Sequence, residues 1–122
     1  MRRALAFFCA ILLAAACFTW AQERTSVVFI VGCLAQENDT WILTNASDPT
    51  PVMGAPGSKT ENEPLADAPL GTNRFRLVGT VQEFGVDKLK GHKVRVKGLV
   101  MKAVPESRVN LTSLRMLGTG CQ

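Results

Sequence analysis

KVRVKGLVMKAV, residues 93–104, sets the architecture. Val94 and Val96 alternate with Lys93, Arg95 and Lys97, the period-two pattern of a strand with one apolar and one polar face. The run is long for a strand, and Gly98 interrupts it. A long strand with an internal glycine suits a sheet that curls around a barrel corner. The same alternation puts three cations on one side. They read either as a surface for an anionic ligand or as the solvated side of a half-buried strand, where lysines also discourage edge pairing.

The flanking segments add four strands. TSVVFIVGCL (25–34) is too densely apolar for simple alternation and reads as a strand buried on both faces, with Gly32 at a bulge or bend. AQEND (35–39) reads as a turn, and TWILTN (40–45) as the second arm of a hairpin. RFRLVG (74–79) places Phe75 and Leu77 on one side and Arg74 and Arg76 on the other. Between Gly85 and Gly91 a short helical turn over 86–90 directs Val86 and Leu89 inward. PESR (105–108) turns the chain into RVNLTSLRML (108–117). There Val109 and Leu111 share a parity that Leu114 and Met116 lack, which predicts a bulge near Ser113. The expected fold is all-β: a small five-stranded OB-like barrel with a short helical turn between strands 3 and 4. A two-sheet sandwich is the alternative.

Residues 46–73 are different in kind. They hold five of the six prolines and most of the excess acid. Ser58 and Glu61 have capping-box spacing, but Pro64 stops any helix there. The segment reads as a long, irregular, poorly ordered loop.

The N-terminus carries a targeting pattern. MRR precedes the apolar run ALAFFCAILLAAACF, which falls short of the roughly 20 residues of a membrane span. Small residues at Thr19 and Ala21 place cleavage after Ala21, giving a signal peptide over 1–21 and a single domain over 22–122. The alternative is a lipoprotein anchored at Cys17. Removing Arg2 and Arg3 from the 14 cations leaves 12 against 10 acids. That charge is uneven. Residues 22–73 carry two cations against seven acids, and residues 74–122 carry ten cations against three acids. Such asymmetry points to an electrostatic role, or to two halves that neutralise each other on folding. Cys33 and Cys121 remain after the leader and read as one disulfide in an exported chain.

GCL at 32–34, WILTNAS at 41–47, RFRLVGTVQEFGVDKLKGHKVRVKGLV at 74–100 and RVNLTSL ahead of a near-terminal cysteine resemble small exported bacterial proteins of unassigned function. The resemblance implies bacterial export and an OB-like barrel. It brings no catalytic residues.

The residues themselves argue against an enzyme. His92 is the single histidine and no nucleophile motif accompanies it. One histidine and two distant cysteines do not make a zinc set, so neither metal nor cofactor is expected. The expected role is a non-enzymatic exported binding module. Its ligand would be an anionic glycan, a lipid head group or an envelope protein. Candidate contacts are Lys93, Arg95 and Lys97 with Arg74 and Arg76, extended by Arg108. Trp41 is the aromatic free to stack, because a core this small absorbs most of Phe29, Phe75 and Phe84. Export argues against nucleic acid, and membrane attachment is expected only through a lipidated Cys17. The competing class is a structural or lipid-anchored envelope interaction protein with no small ligand.

Overall fold

The computed structural model describes residues 26–121. The leader expected over 1–21 and the lipid-bearing alternative at Cys17 lie outside them. The strands are β1 (Val27–Glu37), β2 (Thr40–Ala46), β3 (Thr50–Pro51), β4 (Asn73–Val78), β5 (Lys93–Met101) and β6 (Ser107–Gly118). A 3-10 helix (Val81–Phe84) and one α-helical turn, α1 (Val86–Leu89), connect β4 to β5. The all-β expectation holds. The five strands read from the sequence correspond to β1, β2, β4, β5 and β6, and β3 is a two-residue addition from the proline-rich segment. Among the described residues no helix is long and apolar enough to cross a membrane.

Hydrogen bonding passes from β1 to β2, β4, β6 and β5 and returns to β1, so the five long strands form a ring. Only the β4–β6 pair is parallel. β6 thus lies between β4 and β5. β3 pairs with Val28 and Phe29 at the end of β1 that β2 does not reach.

Local chemistry explains how the ring closes. β1 continues to Glu37, past the turn expected from residue 35, because only Asn38 and Asp39 are needed to reverse the chain. Both adopt positive φ, which short polar side chains tolerate and which matches the twist of a two-residue hairpin. β5 bends where expected. A Cβ on Gly98 would sit 2.9 Å from Val109 Cγ1 and overlap the Asn110 carbonyl, so the strands cross more closely there than a side chain permits. Opposite it, Lys97 pairs with Ser113 and Gly98 with Leu111, leaving Thr112 as the extra residue of a bulge. That bulge, one residue from the predicted position, accounts for the parity slip in β6. Gly32 is equally constrained: a Cβ there would lie 2.6 Å from Leu43 Cγ.

Burial occurs in two layers. Inside the ring, Val28, Ile30, Leu34, Leu43, Phe75, Leu77, Val94, Val96, Val109 and Leu111 form the core, with Val81 and Val86 packed on from the connecting helices. Leu89 packs against this cluster, as the helical-turn reading expects. Phe29, Val31 and Cys33 point to the opposite face and are also buried. The sequence reading of β1 as buried on both faces is therefore correct. Its second cover is the 46–73 segment. That segment is irregular but not loose: Ser47 N–H donates to the Val31 carbonyl while the Ser47 hydroxyl oxygen accepts from Val31 N–H, Val52 N–H donates to the Val27 carbonyl, and Gly71 N–H to the Asn45 carbonyl. Cys33 and Cys121 are disulfide-bonded on this outer face, 88 residues apart.

Candidate binding surface

Register places the candidate cations on two separate faces. On β5, Lys97 lies opposite Phe29, Arg95 opposite Val31 and Lys93 opposite Cys33, so the cationic row shares the outer face of β1. The acidic 46–73 segment crosses that face as a strap. The Lys97 ammonium pairs with Glu61 at 3.1 Å, and Arg95 Nε lies 3.1 Å from Glu63, which also binds Arg115 at 2.8 Å. Lys93 donates to the carbonyls of Ala66 (2.9 Å) and Ala68 (2.6 Å). Below them, the Phe29 ring sits 5.4 Å from the Arg95 guanidinium and 5.5 Å from the Lys97 ammonium, within cation–π range.

The expectation of an open cationic row is corrected by these contacts. Lys93 is 7% exposed and Arg95 3%, because the strap supplies both the carboxylates and the carbonyls that water would otherwise provide. Burial pushes the Arg95 pKa down, an effect the nearby Glu63 opposes. Glu61 is also not the solvated loop residue its neighbourhood suggested. A 2.6 Å hydrogen bond from Gly57 N–H and the pairing with Lys97 hold its carboxyl below the usual range.

The second face belongs to β4 and β6. Arg76 and Arg108 are register partners, and Arg108 is opposite Met101 of β5, so one row runs Met101–Arg108–Arg76 across three strands. Arg74, two residues along, is fully engaged. Its Nε donates to Glu106 at 2.8 Å and its terminal nitrogens bind Glu37, pairings that favour its charged form and lower the Glu37 pKa. Arg76 is not. Its side chain is 43% exposed, and its Nε lies 3.8 Å from a Glu106 carboxylate that Arg74 already holds. Arg108 is exposed and has no ion-pair partner among the described residues.

Arg76 also stands between two concavities. One is an open cleft of about 530 Å³ lined by Asp39, Thr40, Trp41, Leu77, Gly79 and Gln82 among others. The other is a hollow of about 50 Å³ formed with Val104, Pro105, Glu106 and Arg108. Trp41 is not the exposed platform expected. It is 4% exposed and belongs to the core, and its indole N–H donates to the Gln82 side-chain oxygen at 3.2 Å with that amide oriented to donate to Asp87. The 3-10 helix that carries Val81 and Gln82 is what covers it. His92 does not line the cleft; its backbone bonds to Leu34 and Leu89 instead. Among the described residues no three His, Cys, Asp or Glu side chains cluster as a metal site.

No protein family matches the chain, and neither the curated proteins nor the solved structures include one similar to it.

Proposed function

We propose that this protein is an exported, non-enzymatic binding module built on a small OB-like barrel, and that its ligand is anionic and docks on the β4–β6 face. The observation that carries the reading is the Arg76–Arg108 pair: an exposed Arg108 with no acid partner among the described residues beside a half-buried Arg76 whose acid, Glu106, is already bound to Arg74. An unpaired guanidinium beside a weakly paired one suits phosphate, sulfate or carboxylate recognition. The parallel β4–β6 pair and the helical turns between β4 and β5 support the barrel assignment. The disulfide supports an oxidising compartment and, with the apolar leader, export.

The assay is retention on immobilised heparin, a soluble polyanion. Arg76→Glu with Arg108→Glu elutes at markedly lower salt than the unaltered protein, with the β-sheet circular-dichroism spectrum retained. Equal elution refutes the site. Lys97→Glu is a poor test of ligand binding, because it breaks the internal pair with Glu61. Mass spectrometry of the processed N-terminus distinguishes a chain beginning at Gln22 from one acylated at Cys17.

The competing reading, a structural envelope protein with no ligand, draws on the β5 row. Those cations are already engaged inside the fold.

A further inference from the structure

The Met101–Arg108–Arg76 row ends at the loop joining β5 to β6. Val104 at the loop's tip is 96% exposed, and Met101 at its base is 42% exposed. Lys102 between them is exposed as well. Val104 and Pro105 border the same hollow as Arg76 and Arg108, so apolar tip and cations form one continuous surface. A scattered exposed valine needs no explanation. An apolar protrusion set among Lys102, Arg108 and Arg76 has a definite complement. That complement is a surface with negative charge at the level of the cations and hydrocarbon just beyond it. A soluble polyanion satisfies the arginines but leaves Val104 in water, and an apolar protein pocket leaves the arginines without counter-charge.

We infer that the β5–β6 tip is a membrane-surface contact that inserts Val104 and Met101 between anionic lipid head groups while Arg76, Lys102 and Arg108 bind their phosphates. The inference rests on the anion-binding reading above and specifies its source. Binding is reversible and peripheral, since a few cations and two side chains supply far less than a spanning helix.

The experiment is co-sedimentation of the processed chain with vesicles of phosphatidylcholine alone or with about a third phosphatidylglycerol, run beside the heparin assay. Each cation near an anionic surface contributes about fivefold in affinity, so Arg76→Glu with Arg108→Glu weakens vesicle binding at least about 25-fold. Val104→Asn removes about two buried methylene equivalents and weakens it about tenfold, with heparin retention unchanged. Met101, Val104 and Arg108 are exposed and Arg76 is half-buried, and a retained β-sheet circular-dichroism spectrum confirms the fold of each variant. Retention on heparin without vesicle binding overturns the lipid inference and leaves the anion site standing. Loss of both in the unaltered protein overturns both. Vesicle binding that ignores Val104→Asn and Met101→Asn shows a purely electrostatic contact and overturns the insertion.

Discussion

Glu63→Gln tests whether the acidic strap is an integral layer of the fold. The Glu63 carboxylate serves two cations of unequal standing. Arg115 is largely exposed, and an exposed pair contributes at most about 1 kcal/mol. The Arg95 side chain is 4% exposed, and without Glu63 it keeps Ser113 at 3.1 Å, the face of Phe29 and the more distant charge of Glu61. Removing one partner of a fully buried pair costs about 3–5 kcal/mol. Glu63 is itself about a quarter exposed, so water reaches the pair and glutamine retains an acceptor. The expected cost falls to about 1.5–3 kcal/mol. With a urea m-value of about 1 kcal/mol/M for a domain of this size, the midpoint drops by about 1.5–3 M. Arg95→Met should do less harm, within about 1 kcal/mol, because it removes the buried charge and leaves Glu63 paired with Arg115. The Arg95→Met, Glu63→Gln double variant should therefore recover most of the loss of Glu63→Gln alone. A Glu63→Gln shift below about 0.5 kcal/mol, or Arg95→Met proving the more damaging substitution, refutes the docked-strap account.

Two other measurements follow from the structure. Reducing the Cys33–Cys121 bond, or replacing both cysteines by serine, opens an 88-residue loop and should lower stability by about 4–5 kcal/mol, read by denaturation with and without reductant; an unchanged midpoint contradicts it. Glu61 and Glu37 both have folded pKa values below their ordinary 4.5, the first through the Gly57 N–H and then Lys97, the second through Arg74. Their stabilisation is thus complete above pH 4.5 and lost as pH falls through the folded values. The melting temperature should be flat from about pH 7 to 5 and fall below about pH 4, and Glu61→Gln should shallow that fall; an identical acid limb in the variant contradicts the assignment.

Much of the framework was legible because backbone geometry writes itself locally. Gly98 and the parity slip after Leu111 both register one close crossing of β5 and β6, and the apolar density of β1 registers a strand with no solvent face. The side-chain assignments failed where cover arrives from distant sequence. Alternation in KVRVK says that Lys93, Arg95 and Lys97 share a side. It cannot say that residues 61–68 lie on that side. The only trace was the split of the chain into an acidic and a basic half, whose mutual neutralisation Glu61, Glu63 and Glu37 now make concrete. Trp41 failed for the same reason, since Val81 and Gln82 of the 3-10 helix, 40 and 41 residues on, take its space and its N–H. Nothing in the sequence marked Val104 as exposed.

The strap's composition suits the face it covers. That face alternates apolar and cationic rows: Phe29 beside Lys97, Val31 beside Arg95, Cys33 beside Lys93. Its cover needs small apolar groups, carboxylates and spare carbonyls at once. A helix or a paired strand spends its carbonyls on its own hydrogen bonds, whereas an irregular chain whose prolines have no N–H to donate leaves more of them free. Pro64, Ala68 and Pro69 border Phe29 and Val31, Glu61 and Glu63 meet the longer cations, and the Ala66 and Ala68 carbonyls receive the lysine. The prolines that suggested disorder are thus part of what lets the segment dock. The β4–β6 face presents the opposite case. Phe75 and Leu77 turn inward, the apolar register partner of Arg76 is Ile42, already buried, and Glu37 and Glu106 are the acids paired there. Charge that the chain covers with its own strap on one side of the ring stays uncovered at Arg108 on the other, and that difference is the reason the proposed anionic partner is sought at Arg76 and Arg108 rather than on β5.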